Sequence, residues 1–141
     1  MKKQLTTIIL TATLSALIGS VPLSAQDGTS EVATIPFSFQ AQGTTMPAGN
    51  YHVSEFTAQS PVYKLTSDKG KSIYWMAPSE NKADPAKPEL TFVHSGSEYV
   101  LASLSMPGSS VSHGVSEAVI SKSLSRSMGI SSLVAVPLRA R

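Results

Sequence analysis

The stretch PFSFQAQGTTMPAGNYHV, Pro36–Val53, alternates apolar and polar residues, passes through a polar glycine turn and a proline turn, then alternates again. Two readings compete for it. It is either a ligand-binding loop between two strands or the hinge that lets two strands pair. Pro47 suits position i+1 of a β-turn, and Gly49 suits position i+3 of a type I turn. Phe37 and Phe39 before the turns, and Tyr51 and Val53 after them, give the chain an apolar reason to fold back. Each unusual residue then has a role in folding, so the stretch reads as a marker of the fold rather than of chemistry.

Working outward, a period of two dominates, the signature of strands with one buried face. In VATIPFSFQAQ, residues Ala33, Ile35, Phe37, Phe39 and Ala41 share one face. Pro36 lacks an N–H for a ladder, which predicts an edge or a bulge there. YHVSEFT, PVYKLTS and SIYWMAP continue the rhythm, with the turn SDKGK between the last two. ELTFVHS and EYVLASLSM flank the short glycine turn SGS, the pattern of a hairpin. SLVAVPLRA reads as the closing strand.

Two segments break the period. Pro78–Glu89, PSENKADPAKPE, carries three prolines and five charged residues and reads as a solvated loop. SEAVISKSLSRSMG fits a short helix near 116–127, with Ser116 as cap and Gly129 as stop. Ile120, Leu124 and Met128 recur at intervals of four and would share a helical face. The same interval also suits one face of a strand, and both assignments stay open at this point. The expectation is an all-β single-domain antiparallel β-sandwich, immunoglobulin-like or jelly-roll-like, or a small β-barrel, with about seven to eight strands.

Residues 1–25 are expected to lie outside that fold. Lys2 and Lys3, the apolar Ile8–Ile18 and the break at Pro22 before Ala25 form a signal-peptide pattern. The apolar run is too short for a membrane span, which needs about 20 residues, and no second run follows. The reading is therefore a signal peptide at 1–25 and one β domain at 26–141, exported to the periplasm or beyond, with no transmembrane segment in the mature chain. The chain has no cysteine. Lipoprotein anchoring and disulfides are thereby excluded, and the core must hold without staples. Without Lys2 and Lys3 the basic and acidic residues number nine each. No Lys/Arg cluster appears, so nucleic acid is not an expected partner.

The residues of the opening stretch also carry a likeness. Pro36, Phe37, Phe39, Met46, Pro47, Ala48, Gly49, Tyr51 and Val53 match a PFxF…(L/M)PAGxYxV segment. In this the chain resembles small secreted acidobacterial-type proteins of unknown function, which carry that segment soon after the signal peptide. EYVLASL, Glu98–Leu104, and SEAVIS, Ser116–Ser121, match later parts more loosely. The resemblance implies a secreted β protein and brings no catalytic residues with it.

Motifs for chemistry fail on their surroundings. GKS at Gly70–Ser72 lacks the upstream glycine of a phosphate loop, since Leu65 stands there, and is followed by the strand-like IYWM. SENK, Ser79–Lys82, has the S-x-x-K spacing of penicillin-recognising enzymes without their other elements. His52, His94 and His113 show no local metal-ligand spacing, and no G-x-S-x-G elbow exists. No catalytic, metal or cofactor-binding residues are assigned, and no cofactor is expected. The binding candidates are Tyr74 and Trp75, which must point to opposite faces of a strand. An outward Tyr or Trp offers apolar area with a polar tip for a sugar or a partner pocket. Burial of Trp75 in the core, with Tyr74 at the rim, is the simpler expectation. The function expected first is a non-catalytic structural or protein-interaction component of the bacterial cell envelope. A carbohydrate- or small-ligand-binding module using Tyr74, Trp75 and the Pro78–Glu89 loop comes second, and a small hydrolase third.

Overall fold

The computed structural model describes residues 30–57, 60–124 and 129–141. The leader at 1–25 and Met128 of the helical row lie outside the described residues. Alternation produces strands along almost the whole described chain: β1 (Glu31–Ile35), β2 (Phe39–Ala41), β3 (Thr44–Met46), β4 (Gly49–Glu55), β5 (Val62–Ser67), β6 (Ser72–Met76) and β7 (Ser79–Lys82). They continue with β8 (Glu89–Ser95), β9 (Glu98–Ser105) and β10 (Val111–Gly114), the helix α1 (Glu117–Ser123), then β11 (Ser132–Pro137) and β12 (Arg139–Ala140). Sheet A runs β12-β1-β4-β5-β6, and sheet B runs β11-β8-β9-β10-β7, with β2 bridging to β9 and pairing with β3. The fold is all-β and sandwich-like, as the periodicity predicts.

The chain crosses between sheets four times, and a proline stands at each crossing. Pro36 separates β1 in sheet A from β2 in sheet B, and Pro47 separates β3 from β4 on the way back. Pro78 lies between β6 and β7, and Pro137 ends β11 before β12. A residue without an N–H and with a fixed φ interrupts a ladder and favours a bend, and bends are how strands switch sheets at sandwich corners. The strands β6–β7 and β11–β12 connect the two sheets at opposite edges. The molecule is therefore a sandwich with both sides stitched by continuous chain, between the two architectures anticipated.

These crossings explain why more strands form than the seven or eight expected. VATIPFSFQAQ is not one strand with a bulge but β1 and β2 in different sheets. SLVAVPLRA likewise divides into β11 and β12. The inward face survives each division, because the two sheets face each other. Ala33, Ile35, Phe39 and Ala41 are all buried. Pro78–Glu89 is not wholly a loop: Ser79–Lys82 pairs antiparallel with β10, from Val111↔Lys82 to Gly114↔Ser79. Its side chains stay largely in water, which hid the strand from a hydrophobicity-based reading. At 117–123 the helix forms, with Ser116 in the N-cap position but without a side-chain capping bond.

The opening stretch is an excursion from one sheet to the other and back. Its flanks pair with each other, Ile35 opposite Gly49 and Ala33 opposite Tyr51. The segment between them forms the β2–β3 hairpin, with Ala41 opposite Thr44. Gln42 and Gly43 make its two-residue turn with φ of 49° and 74°, the signature of a type I′ turn. Gly49 opens β4 with φ of 155°, rather than closing a type I turn. Pro47 instead serves as an acceptor, because the buried Tyr51 hydroxyl donates to its carbonyl oxygen.

The excursion carries the core with it. Phe39 meets Tyr51 of sheet A at 5.4 Å and Phe92 of sheet B at 5.2 Å between ring centroids, both edge-on. Phe37 meets Phe92 at 5.1 Å and stacks on Tyr99 at 3.8 Å. Edge-to-face and offset arrangements are the favoured ones for aromatic rings. Met46, Leu65, Trp75, Leu90, Leu101 and Leu104 fill the remaining interior.

Tyr51→Phe keeps the ring and removes the donor to Pro47. It is expected to lower stability by about 0.5–1.5 kcal/mol, the net worth of an ordinary hydrogen bond, since Pro47 is exposed and water can replace the donor, without changing the fold. Urea unfolding of the two proteins, with matched circular dichroism, measures it.

Candidate functional site

Strand alternation decides which of the two aromatic candidates meets solvent. Trp75 is fully buried and faces Tyr63 at 6.2 Å, while Tyr74 on the opposite face is 50% exposed. The indole Nε1 has no hydrogen-bond partner among the described residues, so Trp75 is held by packing. It has no ring face to offer a ligand, and of the two candidates only Tyr74 does.

Around Tyr74 the outer face of sheet A presents two adjacent cross-strand rows. Ser54, Lys64 and Tyr74 stand in register, as do Val62 and Met76, with Phe56 one step beyond β4. The Phe56 N–H donates to Val62 O at 2.9 Å, which extends the ladder to it. The Phe56 and Tyr74 rings meet at right angles, 5.0 Å apart. Lys64 Nζ lies 5.9 Å above the Tyr74 ring, a weak cation–π contact at an exposed site. Phe56, Tyr74 and Met76 are each about half exposed.

The edge strand beneath this face is closed by Gln42. Its amide, oriented by its hydrogen-bonding surroundings, donates to Tyr74 O at 2.7 Å and accepts from the Met76 N–H at 2.8 Å. A side-chain amide thus takes the place of a neighbouring strand on β6. Lys71 Nζ ties the other end of the hairpin by donating to Thr45 O at 2.6 Å. Gln42 was not legible as important. The signal was present, since a Q-G pair between two alternating runs marks a hairpin turn, but asparagine or aspartate is the usual partner there.

A second concavity lies on the other sheet. A cleft of about 530 Å³ opens between α1, the β2–β3 turn and the start of β9. Gln40, Glu98, Val119, Lys122 and Ser123 line it, with Gly43 at the turn. No residue of Pro78–Glu89 lines this cleft.

The three histidines do not converge. His52 Nε2 pairs with Asp68 Oδ1 at 3.2 Å on the outside of sheet A. His94 stacks on Tyr99 at 4.2 Å, and His113 packs beside Tyr63 at 5.7 Å. None of these contacts is with a serine. No group of three metal-ligating side chains occurs among the described residues. GKS sits in the β5–β6 hairpin turn and SENK is strand β7, so neither has the helix start its motif requires. No helix among the described residues is long and apolar enough to cross a membrane. No known family model matches the chain, and neither does any curated protein or solved structure.

Burial pushes the Tyr63 phenol up to about 12, with Glu55 and Glu80 adding negative potential that opposes ionisation. Burial also raises Tyr51. A phenol whose pKa is higher folded than unfolded holds its proton more tightly in the native state. Its contribution to stability is complete below about pH 10 and declines as pH rises towards 12. Thermal midpoints measured from pH 8 to pH 12 are expected to fall above pH 10. Tyr63→Phe should flatten that fall.

A second outcome separates the aromatic pair. Trp75→Ala is expected to cost about 3–5 kcal/mol through the cavity left in the core. Tyr74→Ala, at a half-exposed position, should cost under about 1 kcal/mol. Denaturant midpoints of the two variants check this.

Proposed function

We propose that this protein is an exported, non-catalytic β domain that serves as a protein-interaction component of the bacterial cell envelope. The observation that carries the reading is the paired-row face of sheet A. Phe56, Tyr74 and Met76 lie together and half exposed, where singly scattered apolar residues would need no explanation. Aromatic residues and methionine are the types enriched where proteins meet. The leader-like pattern of residues 1–25 supports export.

The face suits a protein better than a sugar. Lys64 already covers one side of the Tyr74 ring, and Phe56 abuts it at right angles. The nearby hydroxyls of Thr66 and Ser72 are within hydrogen-bond distance of each other. What remains is apolar relief rather than a bare ring platform rimmed by donors and acceptors. The Gln42 cap on β6 directs a partner to the face and away from the strand edge.

Site-specific photocrosslinking in the native host tests the proposal. A crosslinking residue at position 74 or 56 is expected to capture one envelope protein, and the same residue at Ser112 should not. Tyr74→Ser combined with Met76→Ser should abolish capture from position 56 while leaving the thermal midpoint within a few degrees. Failure of both positions to capture a protein, or capture unaffected by the double substitution, overturns the docking face. Retention of the chain in the cytoplasm with residues 1–25 intact overturns export.

A further inference from the structure

A strand at the edge of a sheet offers a row of unpaired N–H and C=O groups, and proteins blunt such edges with charges, short strands or covering groups. The strands that end the pairing order here are β12 and β6 in sheet A, and β11, β7 and β3 in sheet B. Four of them carry such a device. The Gln42 amide caps β6 at Tyr74 O and the Met76 N–H. Lys71 Nζ takes Thr45 O on β3. Strand β7 exposes Glu80 and Lys82, and β12 is two residues long and bears Arg139.

Strand β11 has none of these. It is six residues long, SLVAVP, and no charge occurs from Ile130 to Leu138. It pairs with β8 alone, and Ser132–Val136 make no backbone bond to any other segment among the described residues. Apolar side chains accompany the open edge. Leu133 is 74% exposed, and Ile130, two residues before the strand, is 96% exposed. The available length is bounded at the far end. Pro137 has no N–H to add to a ladder, and the Leu138 N–H is already given to Pro88 O at 2.9 Å.

The edge complements itself. In an antiparallel pair about a two-fold axis, each strand meets its own copy, so any charge is brought near the same charge. Ser132–Val136 has no charge to oppose. Leu133 and Ala135 are exposed on the outer face, while Val134 and Val136 face the core. A pairing centred on Val134 sets Leu133 opposite the partner's Ala135, large against small, and does so twice. A slip of one residue would set outward side chains against inward ones.

We propose that two copies of this chain join antiparallel along β11, centred on Val134, so that sheet B runs unbroken across a two-fold axis. The Tyr74 face belongs to sheet A and plays no part in the join. Five residues of ladder bury less than the roughly 1,200 Å² of a stable interface, so the dimer is reversible.

Equilibrium sedimentation of the full chain, as its host produces it, tests the proposal together with amide hydrogen exchange. The average mass is expected to rise from one chain towards two as concentration reaches about 1 mM, the weak end of specific association. Exchange within Ser132–Val136 should slow over the same range, while exchange in β7 should not. Leu133→Lys, at an exposed position, should weaken association about tenfold and leave the thermal midpoint within a few degrees. Adding Ala135→Glu to that variant should restore association, because each lysine then faces the partner's glutamate. A chain that stays monomeric overturns the proposal. Association that Leu133→Lys leaves unchanged, or that Ala135→Glu does not restore, overturns it too. Protection of Ser132–Val136 that needs an added envelope extract would assign the edge to an extended segment of another protein and overturn the dimer.

Discussion

The Tyr51 hydroxyl, buried between the sheets, donates to the carbonyl oxygen of Pro47 four residues earlier. That bond fixes the point where the chain leaves sheet B and re-enters sheet A. A tyrosine bonded back to nearby upstream backbone is a known device for holding a corner in β-sandwiches. Here it holds the corner on which the rest depends. With Pro47 pinned, β4 starts in register with β1, Gly49 opposite Ile35. The β2–β3 hairpin is then committed to the other sheet. Release of that corner would free Phe39 and Met46, two of the buried side chains that join the layers.

The same logic extends to the other crossings. In a cysteine-free chain of this size the two sheets need covalent continuity at their margins, and four sheet changes supply it. Prolines mark each one because the backbone must stop pairing before it can bend. Between the margins, Tyr51, Phe39, Phe92, Phe37 and Tyr99 form an unbroken line of ring contacts from sheet A to sheet B. The line passes through residues of the excursion rather than directly from sheet to sheet. The excursion is therefore both corner and core, which is why one short stretch carries so much of the fold.

Much of this was legible in the residues. Period-two alternation marks the inward face correctly at Ala33, Ile35, Phe39, Ala41, Tyr51 and Val53, because a sheet with one buried side demands it. The opposition of Tyr74 and Trp75 follows from the same rule. The sheet changes were not legible. Alternation continues across Pro36 and Pro137 as though nothing happened, since an inward residue stays inward when its strand moves to the facing sheet. Strand β7 was hidden for the opposite reason: its outward charges pair through backbone alone, and backbone pairing leaves no mark on side-chain pattern. The cleft under α1 brings Gln40, Glu98 and Ser123 together from three separated elements. No local spacing could announce such a cleft. The helix was only one of two assignments that the interval of four allowed, and α1 buries no residue, so no apolar face marked it out.

Strain shows where the structure spends stability. Gln42 is the one non-glycine residue with positive φ among those described, a conformation that costs a side-chain-bearing residue about 1 kcal/mol or more. Asparagine would suit the turn better but is one methylene shorter than the residue that spans to β6. The longer amide offsets the strain with two hydrogen bonds to Tyr74 O and the Met76 N–H. An open edge beside a half-exposed aromatic face would invite indiscriminate strand pairing. With Gln42 on the edge, Phe56, Tyr74 and Met76 stand half exposed on the face beside a capped strand rather than an open one. The one departure from backbone preference among the described residues thus closes part of the β6 edge. It also links that face to the cleft under α1, because Gln42 caps the strand that bears Tyr74 and lines the cleft.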